Sequence, residues 1–288
     1  MQRIAVLGLG IMGAGMASNW LDKGFTVSVW NRSRARAEPF AAKGARVAGT
    51  PREAAEGAEL IVAMVSDDEA SRSVWLGPDG ALAGAEAGAI AAESSTLSPG
   101  WIRELAAATG EKGLSFLDMP VGGSRDAAES GNLVLFVGGD DATLERARPA
   151  LAAISNTIHH LGGTAAGATW KLINNMMGAA QITAAAEGLA LAEKLGLDRR
   201  QVAAINATAG TSSPIVKMKM PRIAELDFAD PDFSLGNMTK DIRYAMALAA
   251  EKGMVPETGK AALKRYEQAM AEGLGGNDVA AVYQTVDR

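Results

Sequence analysis

Two places in the chain carry residue types and spacings that could do chemistry: a run of glycines at 8–13 and a single lysine at 171. Gly8-Leu9-Gly10-Ile11-Met12-Gly13 follows a short apolar run at 3–8 and opens a stretch that ends near Lys23-Gly24. In such a pattern the first glycine permits a tight strand-to-helix turn and the second lets the backbone approach a pyrophosphate. The third lets helix and strand pack closely. Amide N–H groups at the start of the helix then face the phosphates. Alone the pattern is weak, but between a first strand and a second at 26–30 it points to a bound dinucleotide.

The end of the second strand decides which dinucleotide. NAD binders tend to place an acid there for the ribose 2′-hydroxyl. This chain has Asn31 followed by Arg32, Ser33, Arg34 and Arg36, and the nearest downstream acid is Glu38. A neutral amide followed by guanidinium groups suits a 2′-phosphate. The expected cofactor is therefore NADP(H), with NAD(H) as the weaker alternative. The competing reading is a solvated basic start to a helix.

Such a cofactor delivers hydride, and hydride addition to a carbonyl leaves an alkoxide that needs a positioned acid. The Tyr-x-x-x-Lys arrangement is absent, since Tyr244, Tyr266 and Tyr283 are followed four residues later by Leu248, Met270 and Asp287. The only histidines, His159 and His160, precede a Gly162-Gly163 turn and read as structural. Lys171 remains, the only charge between Leu161 and Ala186. An isolated charge on an apolar helix is costly unless it is paired or functional. Asn174 and Asn175 stand three and four residues on, so all three share one helical face. Burial would lower the lysine pKa and ease proton transfer near neutral pH. The plainer alternative is a lysine that snorkels to solvent beside two asparagines.

Composition narrows the rest. With no cysteine and two adjacent histidines, thiol nucleophiles, disulfides and most metal sites are excluded, and no metal is expected. The missing cysteines fit a reducing, cytoplasmic setting. A formal net charge of −5 gives no reason to expect nucleic acid. The glycines interrupt the uncharged stretch after Arg3, so it reads as strand, turn and helix rather than export signal, and no stretch reads as a membrane span. No G-x-x-x-x-G-K-[ST] occurs, which removes ATPase and kinase chemistry of that type.

The elements that must position these residues alternate through the first half. Buried strands are expected at 3–8, 26–30, 60–65, 89–93, 116–118, 133–137 and 156–160. Helical patterns start near Ile11, Arg34, Pro51, Asp68 and Pro99, with another at 142–153. This alternation predicts an α/β fold with a Rossmann-type doubly wound sheet over 1–162. After Gly162-Gly163 the patterns are helical: one long helix to about Lys194, then 199–207, 235–252, 257–272 and 278–286. Residues 163–288 are expected to form an all-α C-terminal domain, joined through the long helix, that serves substrate binding and oligomerisation.

Together these residues resemble the β-hydroxyacid dehydrogenase family, the 3-hydroxyisobutyrate dehydrogenase-like group, nearly end to end. The resemblance rests on Gly8–Gly13, on Asp118-Met119-Pro120-Val121-Gly122-Gly123-Ser124 continuing to Gly131-Asn132-Leu133, and on Gly167, Lys171, Asn174 and Asn175. It extends to Lys240-Asp241, preceded by Phe233. It implies that Lys171 is the catalytic proton donor and that Met64, Val65 and Ser66 line the cofactor cleft. Ser95 and Thr96 would touch nicotinamide and substrate, and Lys240 would close over the cofactor. Amides around Gly122, Gly123 and Ser124 would hold a substrate carboxylate, Asn174, Asn175 and Phe233 completing the substrate site. From the residues alone, Lys240-Asp241 reads as a solvated surface pair.

Two departures bear on the substrate: Gly122 stands where many members have serine, and Ala127 replaces a common glycine. Ser124, with Trp30-Asn31-Arg32-Ser33, looks more like the glyoxylate and succinic semialdehyde reductase branch. The implied activity is NADPH-dependent reduction of a small carboxylate-bearing aldehyde or keto acid, with glyoxylate, succinic semialdehyde and tartronate semialdehyde as first candidates. The alternatives are an imine reductase, whose members typically replace the lysine with another acid, and a non-catalytic NADP-binding protein. The second domain makes a homodimer or homotetramer plausible. In a fluorescence titration, Arg32→Ala is expected to weaken NADPH binding far more than NADH; equal losses would refute the 2′-phosphate reading.

Overall fold

The computed structural model describes residues 1–286; the last two residues of the expected 163–288 domain lie outside the described residues. The chain divides into two compact units, residues 1–171 and 172–288, and the division falls inside the long helix Ala166–Lys194.

The first unit is built on one nine-stranded sheet. In chain order the strands are β1 (Arg3–Leu7), β2 (Thr26–Trp30), β3 (Arg46–Val47), β4 (Leu60–Ala63), β5 (Ile90–Glu93), β6 (Ser115–Asp118), β7 (Val121–Gly122), β8 (Leu133–Gly139) and β9 (Ser155–His160). Their order is β3-β2-β1-β4-β5-β6-β8-β7, with β9 also paired to β8. The strands from β3 to β6 run parallel, whereas β8 is antiparallel to β6. Alternation along each strand feeds two cores. Ile4 and Val6 pack on one face with Met16, Trp20 and Leu144, while Ala5 and Leu7 pack on the other with Trp75, Trp101 and Ile102. Apolar residues on both faces are what a parallel sheet covered by helices requires. The order reverses between β1 and β4, the switch point at which such sheets take ligands.

The second unit is helical: Arg199–Asn206, Pro214–Glu225, Leu235–Glu251 and Glu257–Ala271 follow the long helix. Its core gathers Ile182, Leu189, Ile223, Met238, Ile242 and Tyr266. Two local expectations are corrected, and one helix was not expected. Residues 278–286 form the 3-10 helix Val279–Thr285 rather than an α-helix, with Asp278 accepting from Ala280 N at its start. The pattern near Arg34 is one 3-10 turn, Arg34–Arg36, followed by the short helix Glu38–Ala41. Pro214–Glu225 has no helical signature in the sequence because Pro221 falls inside it, yet Ser213 caps it and Val216, Met220 and Ile223 bury one face.

One contact fixes where the long helix begins. Asp118, the last residue of β6, is fully buried, and its carboxylate accepts from Ala165 N at 2.7 Å and Ala168 N at 2.8 Å. Burial pushes this carboxyl above the usual range, against the pull of those amide donors. Gly138, its cross-strand partner, has no room for a side chain, since a Cβ there would stand 2.4 Å from Asp118 Oδ1. Gly167 is similarly confined, 2.1 Å from Phe136 O at the Cβ position. An amide in place of the carboxylate would point N–H at N–H. Asp118→Asn is therefore expected to lower stability by about 1–3 kcal/mol in urea denaturation.

Candidate active site

The glycine turn sits between β1 and the helix Ile11–Asp22. Gly8 has φ +102°, and a Cβ on it would lie 2.2 Å from Met64 O; a Cβ on Gly13 would lie 2.0 Å from Gly8 O. These two glycines are required by packing. Gly10 is different: no atom lies within 4 Å of its Cβ position, so its backbone faces open space. Two closed positions around one open are what a turn that lets its backbone approach a pyrophosphate would require. Gly15 adds a third close approach, its Cβ position 2.6 Å from Ala128 O, and Asn19 Nδ2 donates to that same oxygen at 2.8 Å.

Asn31 has a structural task. Its Oδ1 accepts from Leu9 N at 2.9 Å, and its Nδ2 donates to Ser33 O at 2.9 Å. The side chain thus ties the glycine turn to the segment carrying Arg32 and Ser33, both exposed. Arg34, one of the basic residues in this run, pairs with Glu38 at 3.4 Å.

The neighbouring strand ends complete the wall. Met64 N donates to Leu7 O, and Val65 N donates to Ser95 Oγ at 2.7 Å, so Met64–Ser66 and Ser95-Thr96 lie beside the turn. Ser66 Oγ donates to Asp67 Oδ2 at 2.8 Å. Ser95 is held by Glu93, a residue the sequence reading does not single out. Glu93 is wholly buried and accepts from Ser71 Oγ at 2.6 Å, Trp75 Nε1 at 2.9 Å and Ser95 N at 2.9 Å. Burial raises its pKa while these donors pull the other way. The signal for it was present, as the lone charge at the end of the apolar run 89–93.

Gly122 and Gly123 follow β6 on the opposite side of Pro120 from Asp118. Gly123, at φ +129°, has Ala127 Cβ 2.8 Å from its own Cβ position, so a side chain there would be strained and crowded. Ser124 precedes the short helix Arg125–Glu129. Lys171 lies one turn beyond Gly167 on the long helix and is half-buried; it belongs to the same compact unit as the glycine turn. Asn174 is half-buried and Asn175 buried on the face of the helix that continues from Lys171.

Within the second unit, Asn175 Nδ2 donates to Asp241 Oδ2 at 2.7 Å, and Lys240 Nζ meets Asp241 Oδ1 at 3.1 Å. Asp241 is buried, so the solvated surface pair that Lys240-Asp241 resembles from residues alone is not what forms. Phe233 is half-buried ahead of the helix Leu235–Glu251, packed on the second unit's core. Among the described residues no group of three His, Asp or Glu side chains could hold a metal ion, and no helix is long and apolar enough to cross a membrane.

Comparison with known proteins bears on this geometry. Residues 3–162 match the model of the NAD binding domain of 6-phosphogluconate dehydrogenase. Residues 165–286 match that of the NAD-binding domain of NADP-dependent 3-hydroxyisobutyrate dehydrogenase. The chain is 34% identical to glyoxylate/succinic semialdehyde reductase 1 of Arabidopsis thaliana, over 98% of each protein.

The chain belongs to the β-hydroxyacid dehydrogenase family.

Other similar proteins carry different names. An NAD-dependent L-serine dehydrogenase of Pseudomonas aeruginosa is 33% identical, over 100% of this chain and 98% of that protein. A Mycobacterium tuberculosis 3-hydroxyisobutyrate dehydrogenase structure with L-serine superposes with a TM-score of 0.88 at 34% identity, each chain fully covered. The chain spans about half the length of vertebrate relatives named cytokine-like nuclear factor N-PAC. The difference between the glycines gives a direct check on the turn. Gly13→Ala is expected to lower stability by about 1–3 kcal/mol in thermal melts, whereas Gly10→Ala should melt close to the parent protein yet lose dinucleotide affinity.

Proposed function

We propose that this enzyme reduces a small carboxylate-bearing aldehyde or keto acid to the hydroxy acid with NADPH, Lys171 giving the proton. The reading is carried by one observation: the half-buried Lys171 stands one turn along a helix whose start Asp118 ties to the same sheet that bears the glycine cradle. The cradle at Gly8–Gly13 fits the pyrophosphate, and Arg32 and Ser33 beyond Asn31 are exposed where a 2′-phosphate would be met. When bound, NADPH supplies the hydride that becomes the new C–H bond.

The chain's own groups do the rest. Backbone amides of Gly122, Gly123 and Ser124 hold the substrate carboxylate, as consecutive N–H groups in a turn can. Ser95 and Thr96, braced by Glu93 and by Val65 N, flank the nicotinamide end of the cradle, with Met64, Val65 and Ser66 alongside. Lys171 stabilises the negative charge that grows on the carbonyl oxygen and then transfers its Nζ proton to it, leaving a hydroxyl. Asn174 and Asn175 orient the substrate, and the Asp241 contact fixes the amide of Asn175 in one orientation. Phe233 and Lys240 are assigned to substrate and cofactor, respectively. The retained lysine favours carbonyl over imine reduction, and the intact set Lys171-Asn174-Asn175 favours catalysis over cofactor binding alone.

The deciding assay follows absorbance of NADPH, with NADH in parallel, across glyoxylate, succinic semialdehyde and tartronate semialdehyde, with L-serine plus NADP+ or NAD+ for the reverse direction. Lys171→Ala is expected to lower kcat by roughly 10²–10⁴ while NADPH binding, read by fluorescence, is retained. Turnover that survives the change would overturn the assignment of Lys171.

A further inference from the structure

Gly122 lies on β7, with Val134 as its register partner on antiparallel β8. Phe136 is two residues further along β8 and therefore presents its ring on the same face as Gly122. The contact is close: a Cβ at Gly122 would stand 3.2 Å from Phe136 Cε2, 3.4 Å from Cζ and 3.6 Å from Val134 Cβ. A side chain at 122 would press against the edge of an aromatic ring, which would have to give by a few tenths of an ångström. Phe136 does not stand alone. The His159 ring stacks on it from β9 at 6.0 Å and 14°, and Trp170 meets it edge-on at 6.4 Å and 72°. The group is not sealed in the core: Phe136 is half-buried, His159 is exposed, and Trp170 keeps 38% of its surface open.

The helix sets where this aromatic surface lies relative to the proton donor. Gly167 is pressed against Phe136 O, and Trp170 and Lys171 are three and four residues beyond it. Both therefore flank the row that packs on β8, with Trp170 on the side of Asn174 and Lys171 on the side of Asn175. Trp170, Phe136 and Gly122 form one continuous chain of contacts from the helix to the turn assigned to the carboxylate. Open aromatic faces beside a charge-binding turn favour an apolar, flat group on the same ligand, since ring edges and faces reward stacking beyond simple burial.

We infer that the acid reduced by this enzyme carries an aryl group, which packs against Trp170 and Phe136 while its carboxylate lies at Gly122–Ser124. The inference rests on the proposed reductase reading and narrows its substrate class. Gly122 contributes by omission, because its missing side chain leaves Phe136 as the surface the ligand meets. Trp170 and Phe136 are then specificity-determining residues.

The test separates this inference from the reading beneath it. Isothermal titration of the NADP+-saturated protein with 3-phenylpropanoate and with propanoate compares an aryl-bearing carboxylate with its bare counterpart. The aryl acid is expected to bind about tenfold or more tightly. Trp170→Ala should bring that ratio close to one, and Trp170→Phe, which keeps a ring, should restore most of it. Circular dichroism of each variant verifies folding, and Phe136→Leu gives a second route to the same loss. Equal binding of the two acids, or a ratio unmoved by Trp170→Ala, overturns the aryl subsite while leaving NADPH-dependent turnover of the small semialdehydes to stand. If neither acid binds and no aldehyde is turned over, both the subsite and the reductase reading fall.

Discussion

The Asp118 carboxylate is the contact on which the geometry of the first unit turns. It closes β6 and opens the long helix at once, by accepting Ala165 N and Ala168 N from backbone that has no earlier turn of helix to bond to. A negative charge at that end also meets the positive pole of the helix. Ala165 adopts a left-handed conformation, φ 74°, at the point where the chain swings into the carboxylate's reach. Gly138 and Gly167 are the price of the approach, since any side chain would push the helix off the sheet. Lys171 inherits its position from this junction, and so does Trp170.

A second buried carboxylate does for the ends of β4 and β5 what Asp118 does for the helix. Glu93 gathers Ser71, Trp75 and Ser95, and Trp101 Nε1 donates to Ser71 Oγ behind them. Two helices are thereby bound to the end of β5. No cation faces these oxygens in the bonds described; the donors alone offset the loss of water. Ser95 then passes the constraint to Val65 N, one residue beyond the Met64 carbonyl that Gly8 must clear. The strand ends at β1, β4 and β5 are thus linked into one frame.

How much of this was legible in the sequence follows from how local each signal is. The glycine turn, β2 and the long helix are written in contiguous residues, and their expected positions agree with the structure to within a few residues. Asp118 was visible only as part of a motif, because the amides it serves lie 47 and 50 positions away. Glu93 was read as a strand terminus for the same reason. The pair Lys240-Asp241 was misjudged from composition, since burial of Asp241 depends on Asn175, 66 residues earlier. Phe136 and Trp170 passed as ordinary apolar residues, and only strand register and helix phase bring them together beside Gly122. The helix Pro214–Glu225 was hidden by its internal proline, which tertiary packing overrides.

Asn31 has an implication for altering redox-partner preference. One amide spans two jobs, its oxygen fastening Leu9 N and its nitrogen fastening Ser33 O. An acidic side chain placed there to welcome a free ribose hydroxyl could still satisfy Leu9, but it would turn a second oxygen toward the Ser33 carbonyl. The loop bearing Arg32 and Ser33 would then be repelled from the position it now holds. The shape of this loop is set by both ends of one amide, so the residue at 31 cannot be exchanged for an acid while the loop is left as it is.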